Sequence, residues 1–186
     1  SYNSACAAKD MVLENQPDKK IAVIDSRSTG PEMVLLVKKI CEIIESGADF
    51  DTVVSKAELY SNHTHIVFAL SSFNNLVKNG RMSKIVGFVA NKLGFWGIGI
   101  GSKQGTIEIK QKIRGSKKAL DAIIDDMKER GYNCGKVVIS HCRNAEFAES
   151  VKSAIQSVWD KAEVKIVHAR GLCSYYAEKG GLIIGF

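Results

Sequence analysis

The sequence lacks any apolar run approaching the ~20 residues needed to cross a bilayer, so no membrane span is expected, and contact with a membrane would be peripheral at most. Residues Ser1 to Asn15 mix polar and apolar side chains with no continuous apolar core, which argues against a signal peptide. Five cysteines are present (Cys6, Cys41, Cys134, Cys142 and Cys173). Their number is odd and no two stand at a CxxC spacing, so neither a zinc site nor a disulfide framework is expected, and a reducing cytoplasm is the natural compartment. No GxGxxG follows a strand, and neither GxxxxGK[ST] nor GxSxG occurs, so nothing points to a bound nucleotide or other cofactor. Internal repeats and low-complexity segments are absent as well.

What is present is ordinary globular material: 186 residues, 45% hydrophobic and 25% charged, with a formal net charge of +6. The basic residues are not gathered into a tract; Lys38-Lys39 and Lys117-Lys118 are isolated pairs on helical stretches. The aromatic residues Phe68, Phe73, Phe88, Phe95 and Trp96 lie in apolar patterns and are not interleaved with basic residues as stacking platforms would be. A nucleic-acid partner is therefore not expected.

Short apolar runs alternate with helical patterns along the chain. Ser4 to Glu14 reads as a helix, and Ile21 to Asp25 as a short buried strand ending in an acid. Pro31 sits where a helix from Glu32 to Ser46 would begin, and Gly47 would stop it. Asp51 to Leu59 is a shorter helix. Ile66 to Leu70 is the next strand, Ser71-Ser72 can cap a helix from Phe73 to Lys78, and a further helix spans Ser83 to Leu93. Gly94 to Ile100 and Thr106 to Ile113 form a hairpin. Helices at Lys117 to Arg130, Ala145 to Lys161 and Leu172 to Glu178 then alternate with strands at Val137 to Ile139, Val164 to Val167 and Leu182 to Phe186. Strands separated by helices imply an α/β fold with mixed, mostly parallel sheets flanked by helices.

Ligands of α/β sheets collect beyond the carboxyl ends of strands, and four polar segments fall there. Asp25 to Gly30, containing Ser26, leads into a helix N-terminus or is simply a well-capped loop. Lys78 to Lys84 places Arg81 beside Gly80, where a guanidinium could grip a carboxylate or phosphate, and Arg114-Gly115 repeats that arrangement. His168 and Arg170 follow directly after an apolar strand, where an imidazole could hold or orient a carboxylate. Cys173 nearby allows an alternative, a small Cys/His-dependent hydrolase or transferase. His141 reads as a strand-end hydrogen-bonding residue, and no spacing suggests a metal site with His63 and His65. The alternating Gly97, Gly99 and Gly101 leave one strand face bare, with room for a ligand or for a close neighbour.

In this order the segments resemble the DegV family. Ser1-Tyr2-Asn3-Ser4-Ala5 is similar to the tail of its Ser-Gly-Thr-Tyr-x-Ser-Ala motif, and Val23-Ile24-Asp25-Ser26 to its Val-Ile-Asp-Ser/Thr. Val67-Phe68-Ala69-Leu70 through Leu76 to Ser83 resembles Leu-x-x-Leu-x-x-Gly-Gly-Arg-Ile-Ser, and Arg114 to Ala119 resembles Arg-Gly-x-x-Lys-Ala. His168 stands where the family has His-x-Gly-Pro-Gly, with Arg170-Gly171 as a departure. The resemblance implies a bacterial, non-enzymatic carrier of two α/β domains. Such a carrier encloses a long-chain fatty acid and presents its carboxylate to a fatty acid kinase, which makes acyl phosphate for phospholipid synthesis. It implies His168 near the head group, Arg81 and Arg114 serving either the head group or the kinase and its phosphate, and no catalytic residue; the departure puts Arg170 near the head group as well, and Ser26, in the loop after the first strand, is a further candidate ligand-binding residue. The family's head-group Ser and an earlier Thr would lie upstream of Ser1. Residues 1–60 are then expected to be the remainder of a truncated first domain and residues 61–186 the second.

Overall fold

The structure is a computed structural model that describes residues 1–81 and 94–186. The helix expected over Ser83 to Leu93 lies outside the described residues. The chain divides into two compact units: Ser1–Ser26 with Leu36–His63, and Arg27–Leu35 with Thr64–Phe186.

The first unit is helical. It holds α1 (Tyr2–Asn15), most of α2 (Pro31–Glu45) and α3 (Phe50–Ser61). Helix α3 begins at Asp49, whose carboxylate accepts a hydrogen bond from the Thr52 N–H at 2.8 Å and so satisfies an otherwise orphan donor of the first turn. That bond holds the Asp49 carboxyl below its ordinary range. The strand expected over Ile21 to Asp25 does not form; the six-stranded sheet contains no strand from residues 1–63. A β-branched run can only be a strand when a neighbour takes up its backbone hydrogen bonds, and the run itself does not say whether one is there.

The second unit is built on that sheet, of β1 (Ile66–Leu70), β2 (Phe95–Gly101), β3 (Ile107–Arg114), β4 (Lys136–His141), β5 (Glu163–His168) and β6 (Leu182–Gly185), in the order β3-β2-β1-β6-β4-β5. The α/β class is as expected and the sheet is mixed. Only β4 and β5 pair in parallel, however; the other neighbours are antiparallel, so the sheet is not mostly parallel. The reason lies in the interleaving. β1, β3, β4 and β5 do run the same way, but β2, joined to β3 by a hairpin, and β6, inserted between β1 and β4, run in the opposite sense. Alternation of strands and helices along the sequence gives neither the neighbours of a strand nor the reversed sense of β6.

Period-two alternation divides the core. Val67 and Ala69 of β1, Ile98 of β2, Ile139 of β4 and Ile184 of β6 face one way and pack with Ala119, Ile123 and Met127 of α5 (Ser116–Glu129) and Phe147, Val151 and Ile155 of α6 (Ala145–Val158). Phe68, Leu70 and Ile183 face the other way, with Leu76 of α4 (Asn74–Lys78) and Ala177 of α7 (Gly171–Ala177). At the β3 edge, the buried Asp126 of α5 accepts from Lys110 at 3.1 Å and from Arg130 at 2.8 Å, tying strand to helix.

The alternating glycines of β2 have a structural use. A Cβ on Gly99 would collide with the Phe68 ring and the Glu108 carbonyl oxygen, and one on Gly101 would meet Ile66 Cγ2 at 2.8 Å. At these two positions the bare face is filled by neighbouring side chains of β1 and by the backbone of β3, the second of the two uses open to it.

Candidate functional site

The register places the carboxyl ends of β1, β3, β4 and β5 at one end of the sheet. Leu182 lies opposite Ala69 on one side and His141 on the other, and His141 lies opposite His168. Arg114 ends β3 opposite Phe95, whose ring it overlies at 5.9 Å. It is exposed and stands on the edge strand farthest from His168. Five interstrand spacings separate the two, about 24 Å at the usual 4.8 Å, so one carboxylate cannot be shared between them.

His168 ends the other edge strand and is itself exposed. Its ring lies against that of His141, with centroids 4.6 Å apart and planes tilted by 54°. His141 is 3% exposed. Its Nδ1 accepts the Asn144 N–H at 3.1 Å, so the neutral ring carries its proton on Nε2. Burial, and secondarily the neighbouring His168, hold the His141 imidazole below its ordinary range. The strand-end hydrogen-bonding part read for His141 is thus the one it plays. Asn144 also donates to the Gly180 carbonyl at 2.8 Å, and the Ala169 N–H donates to the His141 carbonyl at 2.9 Å.

Arg170 is exposed and in extended conformation at the start of α7. Cys173, within that helix, has its Sγ 3.4 Å from Thr29 Oγ1. A hydroxyl is no general base, so this contact gives the thiol no activation of the kind a Cys/His enzyme needs.

A polar lattice joins α7 to α4. The Glu178 carboxylate accepts from the Ser72 hydroxyl at 2.6 Å and from the Asn75 N–H at 2.9 Å, capping α4. Ser72, the expected cap, acts chiefly by binding that carboxylate. The Asn75 side chain donates to the Tyr175 carbonyl at 2.8 Å, and that of Asn79 donates to the Tyr175 hydroxyl at 2.9 Å. The Arg81 N–H then donates to the Leu76 carbonyl at 2.9 Å. The exposed Arg81 therefore leaves a loop fixed to the helix that follows His168 and Arg170. The structure brings His168, Arg170 and His141 together at the β4–β5 end of the sheet and leaves Arg114 on the opposite edge strand. Ser26, half-buried, belongs to the first unit. Sequence reasoning missed Glu178, Asn75, Asn79 and Tyr175: their partners are about a hundred residues away along the chain, and no local pattern marks them.

Among the described residues no helix is long and apolar enough to cross a membrane, and no cluster of three or more His, Cys, Asp or Glu could hold a metal ion.

A family profile described as "Uncharacterised protein, DegV family" matches residues 1–186. This chain belongs to the DegV family. It is 42% identical over its full length to a DegV domain-containing protein of Streptococcus pneumoniae, of which it covers 66%. Among solved structures it is similar to the Streptococcus pneumoniae Fatty Acid Kinase (Fak) B3 protein loaded with linoleic acid. The TM-score is 0.96 and the identity 42%, over 100% of this chain and 66% of that one. A DegV family protein from Eubacterium eligens loaded with heptadecanoic acid gives a TM-score of 0.94 and 39% identity, over 99% and 67% of the two chains. The chain thus spans about two thirds of the length of the relatives it matches.

Proposed function

We propose that this chain acts as a fatty-acid carrier. It binds a long-chain fatty acid, holds the carboxylate at the end of the sheet near His168, and presents it to a fatty acid kinase for acyl phosphate formation. The observation that carries the reading is the match in fold and sequence to two family members that hold linoleic and heptadecanoic acid. The chemistry agrees with it. Burying an acyl tail is favourable by ~0.8 kcal/mol per CH₂, and a few polar groups suffice to fix the head.

His168 is the head-group residue, and Arg170 stands two positions on, where the family motif has Gly and a guanidinium can approach the carboxylate. Arg81 and Arg114 are exposed, and Arg114 lies too far along the sheet to share the carboxylate; its role is toward the kinase and its phosphate. Ser26 is a further ligand-binding residue. The carrier has no catalytic residue of its own and needs no cofactor, works in the cytoplasm, and has residues 1–60 in a first domain and residues 61–186 in a second.

Native mass spectrometry of the purified chain, followed by organic extraction, tests this. One C14–C18 acid per chain is the expected result. A folded protein that carries no acid and takes up none when oleate is added would overturn the reading.

A further inference from the structure

Among the described residues, His141 is a buried ionisable side chain at the carboxyl end of the sheet that the proposed function leaves without a role. It is not a bystander in the core. The parallel register sets it directly across from His168, and three contacts converge on the pair: ring against ring at 4.6 Å, the Ala169 N–H on the His141 carbonyl at 2.9 Å, and the Asn144 N–H on His141 Nδ1 at 3.1 Å. The first two hold the exposed His168 ring and the backbone just beyond it. The third fixes the orientation of the buried ring that does the holding. Asn144 is anchored in turn through its side chain to the Gly180 carbonyl at 2.8 Å. An exposed imidazole at the end of an edge strand is otherwise free to rotate about χ1 and χ2, and a carboxylate bound to it must offset that loss of freedom.

We infer that His141 is a positioning residue for His168: it holds that imidazole in the orientation in which it meets a carboxylate head group. The inference rests on the proposed carrier function for the identity of the ligand, but the orientation of the ring does not depend on it. His141 itself touches no ligand. Burial, and secondarily the neighbouring His168, hold its imidazole below the ordinary range, which favours the uncharged ring.

The experiment is a double-mutant cycle read by two measurements. Binding of oleate is measured for the parent chain, H141N, H168A and the double variant, and ¹⁵N-labelled histidine NMR follows the His168 ring in the parent and H141N. Asn keeps an acceptor near the Asn144 N–H but removes the ring face; H141F, which keeps the face and removes the acceptor, is the second variant should H141N fail to fold. H141N is expected to weaken oleate binding about tenfold in the parent, the usual scale for losing a group that orients a ligand-binding side chain, and to have no further effect once His168 is Ala. The His168 ring is expected to pass from one ordered tautomer to an averaged signal. An equal loss in both backgrounds, or an unchanged His168 signal, overturns the inference. If the parent chain binds no oleate, the carrier reading fails, and the NMR comparison still decides whether His141 orders His168.

Discussion

Replacing Glu178 tests whether the α4–α7 lattice is a structural bolt or an incidental surface contact. Two terms can be worked from the structure. Loss of the acceptor for the Asn75 N–H removes the cap of α4, about 1 kcal/mol. Loss of the charge-assisted bond from the Ser72 hydroxyl, at 2.6 Å, removes about 1.5 kcal/mol more. Glu178 is half-buried, so some solvent competition reduces the sum, and E178A should cost about 2 kcal/mol. For a chain of 150–250 residues that is a fall in Tm of about 4–8 °C. A third term gives the test its edge. Glu178 has φ 54, a left-handed conformation that disfavours any side chain by about 1 kcal/mol. Glycine removes that strain while losing the same hydrogen bonds, so E178G should be about 1 kcal/mol more stable than E178A, the reverse of their order in a helix. Thermal and urea unfolding of the three proteins measure this, and hydrogen exchange at the Asn75 amide, faster in both variants, localises it. Stability of E178A within 0.5 kcal/mol of the parent, or E178G no better than E178A, would refute the reasoning.

Other expectations follow from the same geometry. Asp126 is 4% exposed and receives Lys110 and Arg130, so D126N should destabilise by about 2 kcal/mol in urea unfolding, whereas E129Q, on the exposed arm of the same cluster, should change stability by less than about 0.5 kcal/mol. G99A drives a methyl into the Phe68 ring and the Glu108 carbonyl. It should cost about 2 kcal/mol or more as overpacking does, and F68L should recover part of that by double-mutant cycle. Burial pushes the Tyr132 phenol from its ordinary 10.0 up to about 12. A folded value above the unfolded one means the contribution is intact below pH 10 and is lost as pH rises through about 12. For this half-exposed ring it amounts to no more than about 1 kcal/mol, and Y132F should unfold at high pH without that added dependence.

The sequence was most readable where local pattern and burial agree. β1 is buried along all five residues and reads as a continuous apolar run, while α5 and α6 carry clean stripes at helical spacing, so their existence follows from periodicity, although α6 ends at Val158, three residues before the expected Lys161. Polar residues at strand ends were readable too, because strands with a common direction deliver their carboxyl ends together; His168 and Arg170 were found that way. What escaped were facts about neighbours. The apolar run Ile21 to Asp25 has the composition of a strand and no ladder. β6 looks like any closing strand, and nothing in its residues says that it enters between β1 and β4. The facing of His141 and His168 depends on the β4–β5 register, and the Glu178 cap on a fold that returns a residue to a helix a hundred positions earlier.

The place of β6 has a consequence for how the second unit is made. Within the sheet, β3, β2 and β1 form one hydrogen-bonded set and β4 and β5 another, and the only strand bonded to both is β6. It leaves the ribosome after everything it joins. Until Leu182 to Gly185 arrive, β1 and β4 each present an open edge to the cell, long enough to recruit a stray strand. The seam closes between residues more than a hundred positions apart on one side, the kind of pairing that folds slowly. Chaperone dependence of newly made chains is therefore expected to be greatest before β6 has been made.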